Sequence, residues 1–172
     1  MKNNQHLRRL TLAALLLALS VVLGRFFIIP IPWTHGYINL CDAGILIAAM
    51  LLGPAYGTAV GGFGGMFLDL LSGYPQYALF SLIAHGLEGF ATGYLTRRAG
   101  DRRGYQILAL VVGVVVMALC YFFSDSFMYH TWMVGFLSIG GNLLQGAIWG
   151  SPGPLAGTAP AQTNAIRKAP DC

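Results

Sequence analysis

Residues 105–124 read YQILALVVGVVVMALCYFFS, twenty positions without one formal charge. A bilayer hydrocarbon core about 30 Å thick needs about 20 apolar helical residues to cross it, and this run supplies them. Upstream, residues 10–24, LTLAALLLALSVVLG, are equally free of charge. Over the whole 172-residue chain hydrophobic residues make up 56 % and charged residues 9 %, where a soluble domain carries about 25 % charged. A soluble globule is excluded, and the fold class expected is an all-α integral membrane protein.

Working outward from these two runs, hydropathy predicts six spans: Leu10 to Ile29, Ile38 to Leu52, Ala55 to Leu71, Tyr77 to Leu95, Gln106 to Ser124 and Thr131 to Gly150. Together they form a single six-helix membrane domain over residues 1–150 and leave no room for a soluble catalytic domain. The second span is short, because Pro54 follows Gly53 and proline disfavours helix at and before its own position. It is expected to be tilted or partly unwound, as is tolerated where backbone lines a cavity. Residues 151–172 begin SPGPLAGTAP. Pro152, Pro154 and Pro160 exclude helix there, so a Pro/Gly/Ala-rich tail is expected to be disordered, or non-native through a change of reading frame.

Charge sets the orientation. Lys2, Arg8 and Arg9 precede the first span, Arg97, Arg98, Arg102 and Arg103 join the fourth to the fifth, and Arg167 and Lys168 follow the sixth. The remaining loops, Pro30 to Tyr37, Ser72 to Gln76 and Asp125 to His130, hold no Lys or Arg. The positive-inside rule then places the amino and carboxyl ends in the cytoplasm. The net charge of +4 is thereby assigned to topology, and no nucleic-acid partner is expected. The basic amino terminus resembles a secretory signal, but no small-x-small cleavage site follows, so the first helix is expected to be retained. Cys41, Cys120 and Cys172 lie 79 and 52 residues apart, fit no CxxC pattern and read as small apolar fillers.

Ionisable groups inside spans cost at least about 2.5–3.5 kcal/mol each and are functional candidates by default. Asp42 and Asp69 fall near the outer ends of the second and third spans, where they are either solvated helix ends or site residues. His85 and Glu88, three apart, share one face of the fourth span. They are either an internal tie between helices or the polar wall of a ligand pocket. Asn142 and Gln145 repeat that spacing on the sixth span, as structural amides or as pocket groups.

The outward loops carry aromatic and amide groups: Trp33, His35 and Tyr37, then Tyr74, Gln76 and Tyr77, then Tyr121, Tyr129, His130 and Trp132. An interfacial belt accounts for some of them. Their clustering near Asp69, His85 and Glu88 also suits a mouth that stacks on a flat heteroaromatic ring and hydrogen-bonds its edge. Gly57, Gly61 and Gly65 form a close-packing face on the third span, and Ala14 and Ala18, beside Ala13, form one on the first that could equally dock a partner. Catalytic motifs are missing: no GxSxG surrounds Ser72 or Ser138, there is no P-loop, and His85 with Glu88 lacks both a third ligand and the HExxH spacing of a zinc site. No metal is expected.

The stretches Asn39-Leu40-Cys41-Asp42-Ala43, Leu52-Gly53-Pro54-Ala55-Tyr56-Gly57, Gly61-Gly62-Phe63-Gly64, Asp69-Leu70-Leu71-Ser72-Gly73-Tyr74 and His85-Gly86-Leu87-Glu88-Gly89 resemble the substrate-binding S components of energy-coupling factor (ECF) vitamin transporters. The resemblance extends over about 140 residues. It implies a six-helix ECF S-component-like bundle in the bacterial cell membrane that binds a vitamin or precursor from outside. Such a protein closes the loop between helices one and two over its ligand and topples to release it inside. The implied partners are a membrane T component and two ATPase subunits. ATP and magnesium would sit on those subunits, with no cofactor bound by this chain. An AxxxA-type face on the first helix contacts the T component in the family, and Ala14 and Ala18 fit it.

The branch it is most similar to transports hydroxymethylpyrimidine, pyridoxine and riboflavin-like compounds. Hydroxymethylpyrimidine or a related small ring is the ligand expected, with riboflavin and cobalamin as larger alternatives. The candidate binding residues are Trp33, His35, Asn39, Asp69, Gln76, Tyr77, His85, Glu88, Tyr121, Trp132 and Asn142. Two departures stand out: His85 occupies a position where the branch often has Lys, exchanging a fixed charge for a titratable ring, and the sequence breaks at Ser151 where the family continues an apolar helix. The competing reading is a self-sufficient secondary transporter coupled to protons through His85 and Glu88.

Overall fold

The computed structural model describes residues 2–31, 36–100 and 102–149. Six helices follow one another along the chain: α1 (Lys2–Phe26), α2 (Cys41–Leu52), α3 (Pro54–Ser72), α4 (Ala78–Ala99), α5 (Arg103–Met128) and α6 (Trp132–Trp149). The six apolar segments thus become six helices. α1 and α5 are long and apolar enough to cross a membrane, with mean hydropathies of 1.8 and 2.7. α2 has twelve residues, about 18 Å of helix, and cannot cross alone.

Three boundaries depart from the sequence reading. α1 stops at Phe26, and the chain forms an antiparallel hairpin of β1 (Ile29–Ile31) and β2 (Gly36–Ile38), with Ile29 opposite Ile38. The all-α bundle holds, with this short hairpin of two three-residue strands added between its first two helices. Alternating β-branched Ile side chains favour extended backbone, and Pro30 is tolerated because a hairpin edge does not need its missing N–H. α2 accordingly begins at Cys41, where the Asn39 side chain accepts the Cys41 N–H at 2.7 Å. α5 runs on past Ser124 to Met128, so Asp125 lies inside a helix and not in a loop. Residues 32–35 and 150–172, including the proline-rich tail, lie outside the described residues.

α4 sits at the centre of the bundle, packed against α2, α3 and α5. Its closest approach is to the glycine face of α3. A Cβ at Gly57 would stand 2.6 Å from the Gly89 carbonyl oxygen, one at Gly65 would stand 2.6 Å from the His85 ring, and one at Gly61 would strike the His85 carbonyl. At the junction of α2 and α3, Gly53 adopts φ +88°, a conformation that L side chains rarely adopt. There the Arg97 guanidinium, from the last turn of α4, donates to the Leu52 carbonyl at 3.4 Å and serves one of the unpaired acceptors that end α2.

The polarity is that of a membrane protein. Large apolar side chains such as Leu15, Leu79 and Phe123 cover the outside, while Asp42, Glu88, Thr92 and Thr96 are fully buried. Along α4 the buried polar residues Ser81, His85, Glu88, Thr92 and Thr96 follow helical spacing and make one inward stripe.

Candidate functional site

The upper part of that stripe opens into a cavity with room of about 50 Å³ for the centres of water-sized spheres. The hairpin closes one wall: Ile31 and Tyr37 line it, and the approach of Ile31 to α6 depends on Gly141, where a Cβ would lie 2.8 Å from the isoleucine. Asp69 on α3, Ser81 and His85 on α4, Tyr121 and Asp125 on α5, and Asn142 and Gln145 on α6 supply the polar lining. None of the described lining residues is Lys or Arg.

Two hydrogen-bond chains organise the lining. In one, the Tyr37 hydroxyl donates to Asp69 Oδ1, and its ring lies 4.8 Å from that of Tyr74. Burial, and next the neighbouring Asp69, push the Tyr37 phenol above its ordinary range, so it remains a donor. The second oxygen of Asp69 is buried and accepts no hydrogen bond of ordinary length. Apart from both chains, Tyr77, just before α4, donates to Asp125 Oδ1 at 3.0 Å, with the Tyr129 hydroxyl 3.2 Å away.

The other chain starts where Ser81 Oγ meets the Tyr121 hydroxyl at 2.6 Å, and that hydroxyl lies 3.2 Å from His85 Nε2. The opposite ring nitrogen, Nδ1, lies 2.9 Å from Glu88 Oε2 and 3.4 Å from Asp42 Oδ1. Gln145 completes it: its Nε2 donates to Asp42 Oδ2 at 2.8 Å while its Oε1 accepts the Asn39 backbone N–H at 2.8 Å. Because a backbone N–H can only donate, that bond fixes which way the amide points.

Of the residues proposed from sequence, Asn39, Asp69, Tyr77, His85, Tyr121 and Asn142 line this cavity. Glu88 does not reach the cavity wall but is fully buried behind His85. Two others stand away from it. Gln76 is exposed on the turn before α4 and is not among the residues that line this cavity. Trp132 is 64 % exposed and stacks on the outer face of Phe122, 5.8 Å between centroids, because the first turn of α6 presents it outward. Trp33 and His35 lie outside the described residues. Ala14 and Ala18 are exposed on α1, whereas Ala13 packs into the core.

The sequence reading left out Ser81, Asp125 and Ser138, and left Asp42 and Gln145 undecided. Asp42 is no solvated helix end, since α4 and α6 cover it completely. A signal existed: Ser81, His85 and Glu88 stand at i, i+4 and i+7, as do Ser138, Asn142 and Gln145. Each set marks one helix face.

Comparison with known proteins fits this geometry. The family described as ECF-type riboflavin transporter, S component, matches residues 4–152. The chain is 40 % identical over 128 residues to the thiamine precursor transporter HmpT of Lactococcus lactis subsp. cremoris, covering 74 % of this chain and 72 % of that protein. It is 33 % identical over 120 residues to the biotin transporter BioY of the same organism, covering 69 % and 58 %. The sequence match, spread over six helices around a polar cavity, places the chain in the family described as ECF-type riboflavin transporter, S component, which makes it an integral protein of the bacterial cell membrane that serves transport and not an enzyme.

Proposed function

We propose that this chain captures a small heteroaromatic vitamin precursor of the hydroxymethylpyrimidine type and hands it to an ATP-driven importer. The observation that carries the reading is the cavity itself: tyrosine rings for stacking, acceptors on Asp69 and Asp125, and no Lys or Arg among the described lining residues. The second, buried oxygen of Asp69 awaits a donor, and an amino or hydroxymethyl group on a pyrimidine provides one. Size supports the same choice. A single water takes up about 10–15 Å³ of such room, so about 50 Å³ admits one substituted ring once side chains adjust. A tricyclic flavin or a corrin would require the helices to part. The similarity to a thiamine precursor transporter points the same way.

In this reading six helices lie in the bilayer with both chain ends cytoplasmic. The chain hydrolyses nothing itself: a T component and two ATPase subunits carrying ATP and magnesium energise uptake. Fusing reporters to the carboxyl end tests the orientation, with green fluorescence and an inactive alkaline phosphatase expected.

Native mass spectrometry of the detergent-purified chain from cells grown in rich medium tests the ligand. A single bound mass of pyrimidine or pyridine size is expected, and calorimetry should rank hydroxymethylpyrimidine well above riboflavin. Tight riboflavin binding would overturn the choice of ligand. An empty chain that takes up substrate into vesicles on a proton gradient, without ATPase subunits, would replace the reading with a secondary transporter.

A further inference from the structure

The sequence offers His85 and Glu88 without a third metal ligand at any zinc spacing; the fold brings one from another helix. We propose that Asp42, His85 and Glu88 form a buried divalent-cation site, suited to zinc, between α2 and α4.

Distances come first. One ligand atom from each residue lies within 4.8 Å of the others, and His85 Nδ1 stands 3.4 Å from Asp42 Oδ1 and 2.9 Å from Glu88 Oε2. Bonds of about 2.0–2.2 Å in a tetrahedral shell put neighbouring ligand atoms about 3.4 Å apart, so small side-chain adjustments suffice. One imidazole with two carboxylates is also a donor set that zinc accepts.

Hydrogen bonding leaves a deficit that an ion removes. A single proton on Nδ1 serves one carboxylate, and it goes to Glu88 Oε2. Asp42 Oδ1 and Glu88 Oε1 are then buried oxygens without a hydrogen bond. Both residues are fully buried, and no Lys or Arg stands among their described partners. Unpaired carboxylates in such surroundings are expensive. A doubly charged ion on the same nitrogen neutralises both carboxylates and meets the free oxygen of Asp42, with Glu88 binding through Oε2 or chelating through both oxygens.

The surrounding groups are those of an outer ligand shell. With Nδ1 on the ion, Nε2 carries the ring proton and donates to the Tyr121 hydroxyl, 3.2 Å away, which passes its own hydrogen to Ser81. Gln145 Nε2 holds the far oxygen of Asp42, and the Asn39 N–H pins Gln145. Ligating imidazoles and carboxylates are held in this way in metal sites generally. The tyrosine, serine and glutamine come from α4, α5 and α6, so the site would tie four helices together beneath the cavity.

The test uses the ion and no vitamin, so its result does not depend on the proposed transport substrate. The purified chain, stripped with chelator in detergent, is titrated with Co²⁺ as a coloured stand-in and with Zn²⁺ by calorimetry. One ion per chain is expected, with visible cobalt bands of four-coordinate character that zinc displaces. Asp42→Asn and Glu88→Gln, which keep side-chain size, should each weaken binding at least about 100-fold, and Gln145→Ala about 10-fold. Failure of the folded wild type to bind either ion would overturn the site, as would binding that the substitutions leave unchanged. Should the variants unfold, X-ray absorption of the zinc-loaded wild type decides: one imidazole with oxygens supports the site, and sulfur or several imidazoles overturns it.

Discussion

Tyr37 and Asp69 show how one contact couples the hairpin to the bundle. The tyrosine belongs to β2, the aspartate to α3, and their hydrogen bond closes the cavity on the side of the first loop. Removing the hydroxyl leaves a buried carboxylate with neither oxygen served by the hairpin, a loss of about 1–3 kcal/mol. Tyr37→Phe should therefore lower the thermal midpoint in detergent and weaken ligand binding together. An unchanged midpoint with weaker binding would place the bond in recognition alone. Glu88→Gln should reduce vitamin affinity without contacting the vitamin, because Glu88 fixes the ring of His85 and does not line the cavity. Calorimetry with hydroxymethylpyrimidine on a variant of native circular dichroism checks this, and unchanged affinity would confine Glu88 to the bundle.

Helix pairs are governed by what glycine permits. α3 and α4 touch through backbone, so a methyl group at Gly61 meets the carbonyl of His85, which cannot swing away as a flexible side chain can. Gly61→Ala should cost about 1–3 kcal/mol, which for a chain of this size lowers the melting temperature by about 2–4 °C per kcal/mol. It should also move His85 and weaken ligand binding. Gly140 on α6 is the control, since nothing stands within 4 Å of its added Cβ. Gly140→Ala should be neutral or stabilising by about 0.5–1 kcal/mol through helix propensity. Thermal unfolding of the two variants side by side separates crowding at the seam from a general effect of replacing glycine.

For the molecule as a whole, the exposed Ala14 and Ala18 face on α1 stands apart from the cavity. Small side chains on an outward helix face let another helix approach closely, as the proposed assembly with a T component requires. Ala14→Trp should leave vitamin affinity intact and reduce uptake in cells expressing the full transporter to background. Normal uptake in that variant would move the docking surface elsewhere. The result also tests the division of labour, because a self-sufficient transporter has no reason to lose transport through a bulky group on α1.

Much of this was legible in the chain. Uncharged runs such as residues 105–124 dictate membrane helices because hydrocarbon offers charge no solvation. Gly53-Pro54 dictates a break, and the spacing of His85 and Glu88 dictates a shared face, since both follow from local backbone geometry. That Trp132 and Gln76 stand away from the cavity was not legible, because residue type alone does not say which way a turn or the end of a helix points. Asp125 was misread because a charge was taken to end an apolar helix, whereas Tyr77, just before α4, supplies the partner that lets the helix continue. Asp42 and Gln145 are 103 positions apart, and no periodicity relates residues on different helices. Local sequence determined the helices and their polar faces through short-range sterics and solvation; only the tertiary structure decided which faces meet, because that depends on close packing between segments distant in the chain.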